Sequence, residues 1–140
     1  MSAYTNTNIS HAIQKTLNSV YFWNELVDMS AAQSGPFDGG CLICAKAIQM
    51  SAGSGELVRI TSAANNGQTE HYGLRINDDI FDFDGHADDS QSWIKRFKIN
   101  ESISNRDLYF DEGLDNESEI PDDARAVKAI SKILSSFLSQ

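Results

Sequence analysis

A cysteine, a histidine and two aspartates occur along this chain in an order that suits thiol chemistry. Cys41 follows a Gly-Gly pair and begins an apolar run that is typical of a buried helix. A thiol in the first turn of a helix ionises readily, because exposed backbone N–H groups and the helix dipole favour negative charge. His71 lies on a later strand-like segment, and Asp82 and Asp84 lie on the next one. This order predicts a cysteine nucleophile served by a histidine base and an orienting carboxylate.

The two-residue alternation of these strands predicts which side chains share a face. His71 alternates with apolar residues that must face the core, so we expect His71 to point away from the core, toward a cleft. If Asn77-Asp78 forms a two-residue turn, His71 lies opposite Asp84 and diagonal to Asp82. Both acids then share the face of the histidine.

The two cysteines, Cys41 and Cys44, also allow other interpretations. A zinc site would need two more ligands, and the three histidines of the chain show no paired spacing. A redox pair belongs in a strand–turn–helix unit, and no strand signal precedes Cys41. The segment Asp82-Phe83-Asp84-Gly85 has the start of a calcium loop but lacks its further ligands and closing glutamate. The sequence therefore predicts neither a metal nor an organic cofactor.

The helices that must position these residues are predicted from apolar residues recurring every three or four positions. A long amphipathic helix from Asn8 to about Met29, capped by Asn6 or Asn8, precedes the apolar helix from Cys41 to about Met50. A short helix carrying Trp93 follows the strands. A final amphipathic helix runs from Pro121 to about Leu138.

The strands are predicted from apolar residues that alternate with polar ones in the middle of the chain. They comprise Glu56–Thr61, Glu70–Ile76, Asp79–Asp84 and Leu108–Phe110. The predicted fold class is α+β: an N-terminal helix and a buried cysteine-bearing helix pack on a small antiparallel sheet, and a C-terminal helix closes the fold. The 140 residues are expected to form a single domain.

Composition limits the partners of the chain. A net charge of −9 argues against binding to a nucleic-acid backbone. No apolar run approaches the roughly 20 residues that span a bilayer, and residues 1–6 have neither the basic nor the apolar region from which a signal peptide would be expected. We expect a cytoplasmic protein that binds neither nucleic acid nor membrane, whose oligomeric state the sequence leaves open. Acidic residues concentrate between Asp111 and Asp123, as a solvated loop or as an acidic surface that imitates nucleic acid or binds a basic partner.

Residues 37–97 resemble the papain-like cysteine hydrolase superfamily, and are most similar to the compact bacterial and phage papain-fold toxins. The matching motifs are Gly-Gly-Cys-Leu-Ile-Cys-Ala-Lys-Ala-Ile, Glu-His-Tyr-Gly-Leu-Arg-Ile, Ile-Phe-Asp-Phe-Asp-Gly and a later Trp93. The resemblance implies a papain-like core with Cys41 as nucleophile and His71 as general base and acid. It makes Asp82 the orienting residue, with Asp84 as a second candidate.

The same resemblance implies an oxyanion hole. The backbone N–H of Cys41, directly after Gly40, would be one donor. Papain-like enzymes usually take a second donor from a glutamine a few residues before the cysteine. The only upstream glutamine in this region, Gln33, lies eight residues before Cys41, at a different spacing.

The implied chemistry is acyl transfer through a Cys41 thioester on a protein, peptide or amide substrate. Hydrolysis of a peptide, isopeptide or side-chain amide bond and glutamine deamidation all belong to this class. The alternative is a small, acidic, non-catalytic binding or inhibitor protein from a phage or other mobile element. The displaced glutamine and the acidic segment favour that alternative. A third interpretation, a Cys41–Cys44 redox pair, would distort a regular helix.

Overall fold

The computed structural model describes residues 5–27, 41–62, 68–101, 107–113 and 124–138. The helices are α1 (Asn6–Leu17), α2 (Val20–Val27), α3 (Cys41–Ala52), α4 (Ser90–Asn100) and α5 (Ala124–Leu138). The strands are β1 (Glu56–Ser62), β2 (Gln68–Ile76), β3 (Asp79–Asp82), β4 (Gly85–Ala87) and β5 (Leu108–Glu112). They form one sheet in the order β4-β3-β2-β1-β5, in which every neighbouring pair is antiparallel. The predicted α+β class is therefore confirmed.

The sheet has a hydrophobic core on each face. On one face α1, α2, α3 and α5 pack together against β2 and β3, and on the other face α4 packs against β1, β3 and β4. Helix α3 is apolar nearly all round because it lies between β2 and α5. The helix that carries Cys41 is thus the central helix, as the sequence predicts.

The single helix predicted from Asn8 to about Met29 is wrong, because α1 and α2 are separate helices. The break falls at Asn18, where φ is −92° and ψ is 0°. There the N–H groups of Asn18 and Ser19 bond to the carbonyls of Lys15 and Thr16, which closes a tighter last turn. Residues 28 and 29 of the predicted helix lie outside the described residues.

The caps of two helices are formed by side chains just outside them. Thr5, rather than the predicted Asn6 or Asn8, caps α1, and Asn8 completes a capping box with it. Asp89 caps α4 by accepting a hydrogen bond from the Ser92 N–H at 2.7 Å.

The strand predicted to run to Asp84 ends at Asp82. Gly85, with φ of +129°, returns the chain into the short strand β4, which the sequence analysis missed. The predicted turn at Asn77-Asp78 is confirmed, and across it Ile76 pairs with Asp79. Within the predicted C-terminal helix, α5 begins at Ala124, and residues 121–123 lie outside the described part of the chain.

Among the described helices, none has the length and apolar character needed to cross a membrane.

Candidate functional site

His71 and Asp82 meet on the face of the sheet that α4 covers. Leu74 of β2 pairs with Phe81 of β3, which places His71 diagonally across from Asp82. His71 Nε2 lies 2.8 Å from Asp82 Oδ2, a hydrogen-bond distance. The shared face predicted from strand alternation is therefore confirmed for this pair.

The His71 side chain is buried rather than open to a cleft, so that prediction is wrong. His71 is only 1% exposed and Asp82 only 4% exposed. The imidazole stacks on Phe97, with ring centroids 5.0 Å apart, and lies 5.7 Å from the ring of Trp93. Both aromatic residues belong to α4, which gives the second face of the sheet a core of its own.

Asp82 accepts hydrogen bonds at both carboxylate oxygens. Oδ2 accepts a hydrogen bond from His71 Nε2 and another, at 2.7 Å, from the indole Nε1–H of Trp93. Oδ1 accepts a hydrogen bond from the guanidinium of Arg96 at 2.6 Å and another from the backbone N–H of Asp84 at 2.8 Å. Four donors compensate the carboxylate for its lost water, as a buried charge requires.

The four donors also determine the charge of Asp82. Burial by itself raises the pKa of Asp82, but the hydrogen bond from His71 and the positive charges of His71 and Arg96 outweigh it. The pKa of Asp82 therefore lies below its usual value, and the group is a carboxylate at neutral pH. A carboxylate only accepts hydrogen bonds, so His71 Nε2 carries the proton. In a neutral imidazole Nδ1 is then the basic nitrogen.

Helix α4 supplies two residues of this network. Trp93 and Arg96 lie three positions apart, so both project from one side of the helix onto Asp82. Gly73, next to His71 on the face of α4, makes room for the indole, since a Cβ there would lie 2.7 Å from Trp93 Cζ2. Arg96 was not predicted as a site residue, although its spacing from Trp93 places both residues on one side of α4.

Asp84, the second candidate for the orienting role, lies in the exposed turn between β3 and β4. Its backbone N–H donates to Asp82, which makes the hydrogen bond to the imidazole. Desolvation and the charge of Asp82 raise the pKa of the Asp84 carboxyl. Asp84 therefore supports the turn, and Asp82 holds the position beside the imidazole.

Replacing Asp84 by asparagine is expected to raise the urea midpoint of unfolding at pH 7. A raised pKa means that the folded state disfavours the ionised carboxyl of Asp84. The resulting loss of folding stability therefore grows as the pH rises from the unfolded pKa through the folded pKa. Below about pH 3.9 the group is protonated in both states and the gain should vanish. Urea titrations at pH 7 and pH 3 test this, and a lower midpoint for Asp84→Asn at pH 7 would contradict it.

Cys41 is the first residue of α3, and its side chain lies outside the described part of the structure. Gly40 and Gln33 also lie outside the described residues. In the first turns of α3, Leu42 and Ala45 pack on Tyr72, the chain neighbour of His71. Cys44 is buried in the main core, 2% exposed.

The sheet is interrupted beside His71. The pairing of β2 with β3 ends at Leu74 and Phe81, and β3 itself ends at Asp82. The first turns of α3 pack on the sheet face to which Tyr72 belongs. Helix α4 covers His71 on the opposite face of the sheet. The start of α3 and His71 therefore lie on opposite faces of the sheet, both next to the end of β3.

Within the described part of the chain, two groups of three side chains bring atoms that could bind a metal within 4.8 Å of one another: His71, Asp82 and Asp84, and Asp79, His86 and Asp88. In the first group the Asp82 oxygens already accept from N–H donors, and the Arg96 guanidinium lies where a cation would bind. In the second group His86 Nε2 lies 2.7 Å from Asp79 Oδ1, an ordinary partly exposed pair. Hydrogen bonding accounts for the close approach in both groups.

No protein-family model matches this chain, and neither curated proteins nor solved structures give a significant match to it. The functional assignment therefore rests on the chemistry of the site.

Proposed function

We propose that this protein is a cysteine-nucleophile hydrolase or acyltransferase with a papain-like core. In this proposal Cys41 is the nucleophile, His71 the general base and acid, and Asp82 the orienting residue. The observation that carries it is the buried 2.8 Å pair between His71 Nε2 and Asp82 Oδ2. Such a pair fixes the tautomer of the ring and stabilises the imidazolium that forms during acyl transfer.

The proposed reaction moves one proton in each direction. His71 Nδ1 takes the proton of the Cys41 thiol, and the thiolate attacks the carbonyl carbon of an amide. When the tetrahedral intermediate collapses, the C–N bond breaks and the imidazolium returns the proton to the leaving amine. Water then hydrolyses the thioester, or an acceptor amine takes the acyl group. Asp82 remains a carboxylate throughout, and its charge is matched by the imidazolium.

The position of Cys41 at the start of α3 supports its role. The N-terminus of a 12-residue helix favours negative charge on a thiolate and on a developing oxyanion. The substrate class is a peptide, isopeptide or side-chain amide, including glutamine. A reactive thiol persists in a reducing compartment, so the proposal places the protein in the cytoplasm.

The proposal is tested by the rate of alkylation of Cys41 with iodoacetamide as a function of pH. Modification at Cys41 and at Cys44 is separated by peptide mass spectrometry. We expect Cys41 to react with an apparent pKa clearly below the free-thiol value of about 8.5. His71→Ala should restore the ordinary value, and Cys44→Ser should leave the profile of Cys41 unchanged.

Two controls keep this test decisive. His86→Ala removes a partly exposed histidine outside the site and should not move the profile. Circular dichroism shows whether His71→Ala still folds, and His71→Gln offers a polar replacement if it does not. If Cys41 reacts as an ordinary thiol in the wild-type protein, the catalytic proposal is wrong.

A non-catalytic binding protein is the second candidate, and one observation favours it. His71 and Asp82 are nearly inaccessible, and the bonds of Asp82 to Trp93 and Arg96 also attach α4 to the sheet. A purely structural network would have these same contacts. It would leave Cys41 with an ordinary thiol pKa, so the alkylation profile separates the two candidates.

A further inference from the structure

Three of the four helices that pack on one face of the sheet are basic, although the chain as a whole carries a net charge of −9. Helices α1, α3 and α5 contain no Asp or Glu. Their cationic residues are Lys15, Lys46, Arg125, Lys128 and Lys132. The charge of this protein is therefore sharply divided between these helices and the rest of the molecule.

The charges of α5 form a stripe on its exposed side. Arg125, Lys128 and Lys132 are three and four residues apart, so they neighbour one another on the helix surface, and all three are exposed. Among the residues whose side chains the structure describes, none offers a carboxylate within 4.0 Å of any of the three. Like charges at these spacings repel and weaken the helix, so stability does not account for the stripe.

A groove runs beside this stripe, between α5 and the junction of α1 with α2. Its volume is about 1010 Å³. Ile133 and Phe137 of α5 line it, as do Val20 and Tyr21, which are 63% and 73% exposed. Lys132 also lines the groove, so exposed apolar surface and positive charge are contiguous there. Such a contiguous exposed patch is typical of an interaction site.

We propose that this surface, the groove together with the α5 stripe, binds an acidic peptide segment of a partner protein that also carries apolar side chains. Acidic residues of the segment would pair with Lys128 and Lys132, and its apolar side chains would contact Tyr21 and Phe137. Complementary charge supports this occupant, since the stripe offers cations that the described carboxylates leave unmatched.

The shape and total charge of the protein favour a short peptide over an extended polyanion. A groove accepts a narrow chain, whereas a lipid surface is broad and flat. Duplex DNA or an anionic membrane would extend past the helical layer and meet the strongly acidic remainder of the molecule. The inference concerns a face of the molecule separate from His71 and Asp82, so it does not depend on the proposed catalysis.

The test uses the full chain and a fluorescein-labelled synthetic peptide in which Glu and Asp alternate with Leu and Phe. Fluorescence anisotropy should report saturable binding that weakens between about 0.01 M and about 0.15 M salt, as the Debye length falls from about 30 Å to about 8 Å. The double variant Lys128→Glu/Lys132→Glu should bind at least about tenfold more weakly, because two attractive pairs become repulsive. Tyr21→Ala should also weaken binding.

The matched control is Lys95→Glu/Lys98→Glu, the same charge change on α4, across the sheet. It should leave peptide affinity within about twofold of the wild type, since charges far from a binding site are screened by salt. A peptide in which Gln and Asn replace the acids should not bind. The proposal is overturned by absence of binding, by equal losses in both double variants, or by tight binding of the neutral peptide. It is also overturned if phosphatidylserine vesicles or duplex DNA displace the peptide and bind more tightly.

Discussion

Replacing Asp82 by alanine is expected to lower the free energy of unfolding by about 3–5 kcal/mol at neutral pH, the usual cost of removing one partner from a buried charge network. The variant leaves the ring of His71 and the indole N–H of Trp93 without their acceptor in a site closed to water. Arg96 loses its carboxylate partner but keeps its hydrogen bond to the His86 carbonyl, and its side chain is 23% exposed and can turn to solvent. The loss should appear as a lower urea midpoint of unfolding, with little change in the slope of unfolding free energy against urea concentration.

Asp84→Ala is the matched control for this change. It removes a carboxylate two residues away that lies in the exposed turn, and we expect it to shift stability by less than about 1 kcal/mol. Asp82→Asn should fall between the two, because its amide keeps one acceptor oxygen. Equal small effects of Asp82→Ala and Asp84→Ala would show that the network around Asp82 does not stabilise the fold.

The stability supplied by Asp82 should also depend on pH in a defined direction. Its pKa is lowered in the folded state, so the contribution is fully present above the unfolded value of about 3.9. It is lost as the pH falls below that value and through the folded pKa. Wild-type protein should therefore lose more stability than Asp82→Asn when urea titrations are moved from pH 6 to below pH 4.

The second large effect is expected from Gly73→Ala, which should destabilise the protein by about 1–3 kcal/mol, the usual cost of overfilling a packed core. Alanine is otherwise the better residue in a strand, by about 0.5–1 kcal/mol. Here its Cβ would lie 2.7 Å from Trp93 Cζ2 and 3.1 Å from the Phe81 carbonyl oxygen, closer than normal contact. Trp93 is fully buried, so the ring cannot move away without disturbing its bond to Asp82.

A double-mutant cycle isolates that steric cause. Trp93→Phe removes the part of the ring nearest to Gly73, so the cost of Gly73→Ala should shrink by at least about 0.5 kcal/mol in that background. Gly53→Ala is a useful comparison, because no atom lies within 4 Å of its added Cβ and only its positive φ of 75° opposes the change. If Gly73→Ala costs the same in the Trp93→Phe background as in the wild type, crowding by the indole is not its cause.

The sequence was sufficient to predict the local geometry of the histidine and its carboxylate. Side chains alternate along strands, and a two-residue turn at Asn77 fixes the register, so the common face of His71 and Asp82 follows from counting. The alternation of side chains along a strand does not show which element of the fold covers that face. A polar residue opposite an apolar row normally meets water, and only the packing of Trp93 and Phe97 shows that this one does not.

Three other features of the structure could not be predicted from the sequence. The break at Asn18 coincides with two backbone hydrogen bonds of one tight turn, and the apolar pattern of the sequence continues across it. Strand β4 has three residues, too few for alternation to be recognised. The role of Arg96 needed the position of α4 relative to Asp82, which is a long-range property of the fold.

The consecutive order of β1 to β4 has a kinetic consequence. His71 and Asp82 are eleven residues apart on adjoining strands, so closing one short hairpin brings them together at little entropic cost. The contact between Ser51 of α3 and Ser131 of α5 joins residues eighty positions apart, so it requires a far longer loop to close. We therefore expect the imidazole–carboxylate pair to form early during folding, and the helix bearing Cys41 to reach its final place when α5 docks.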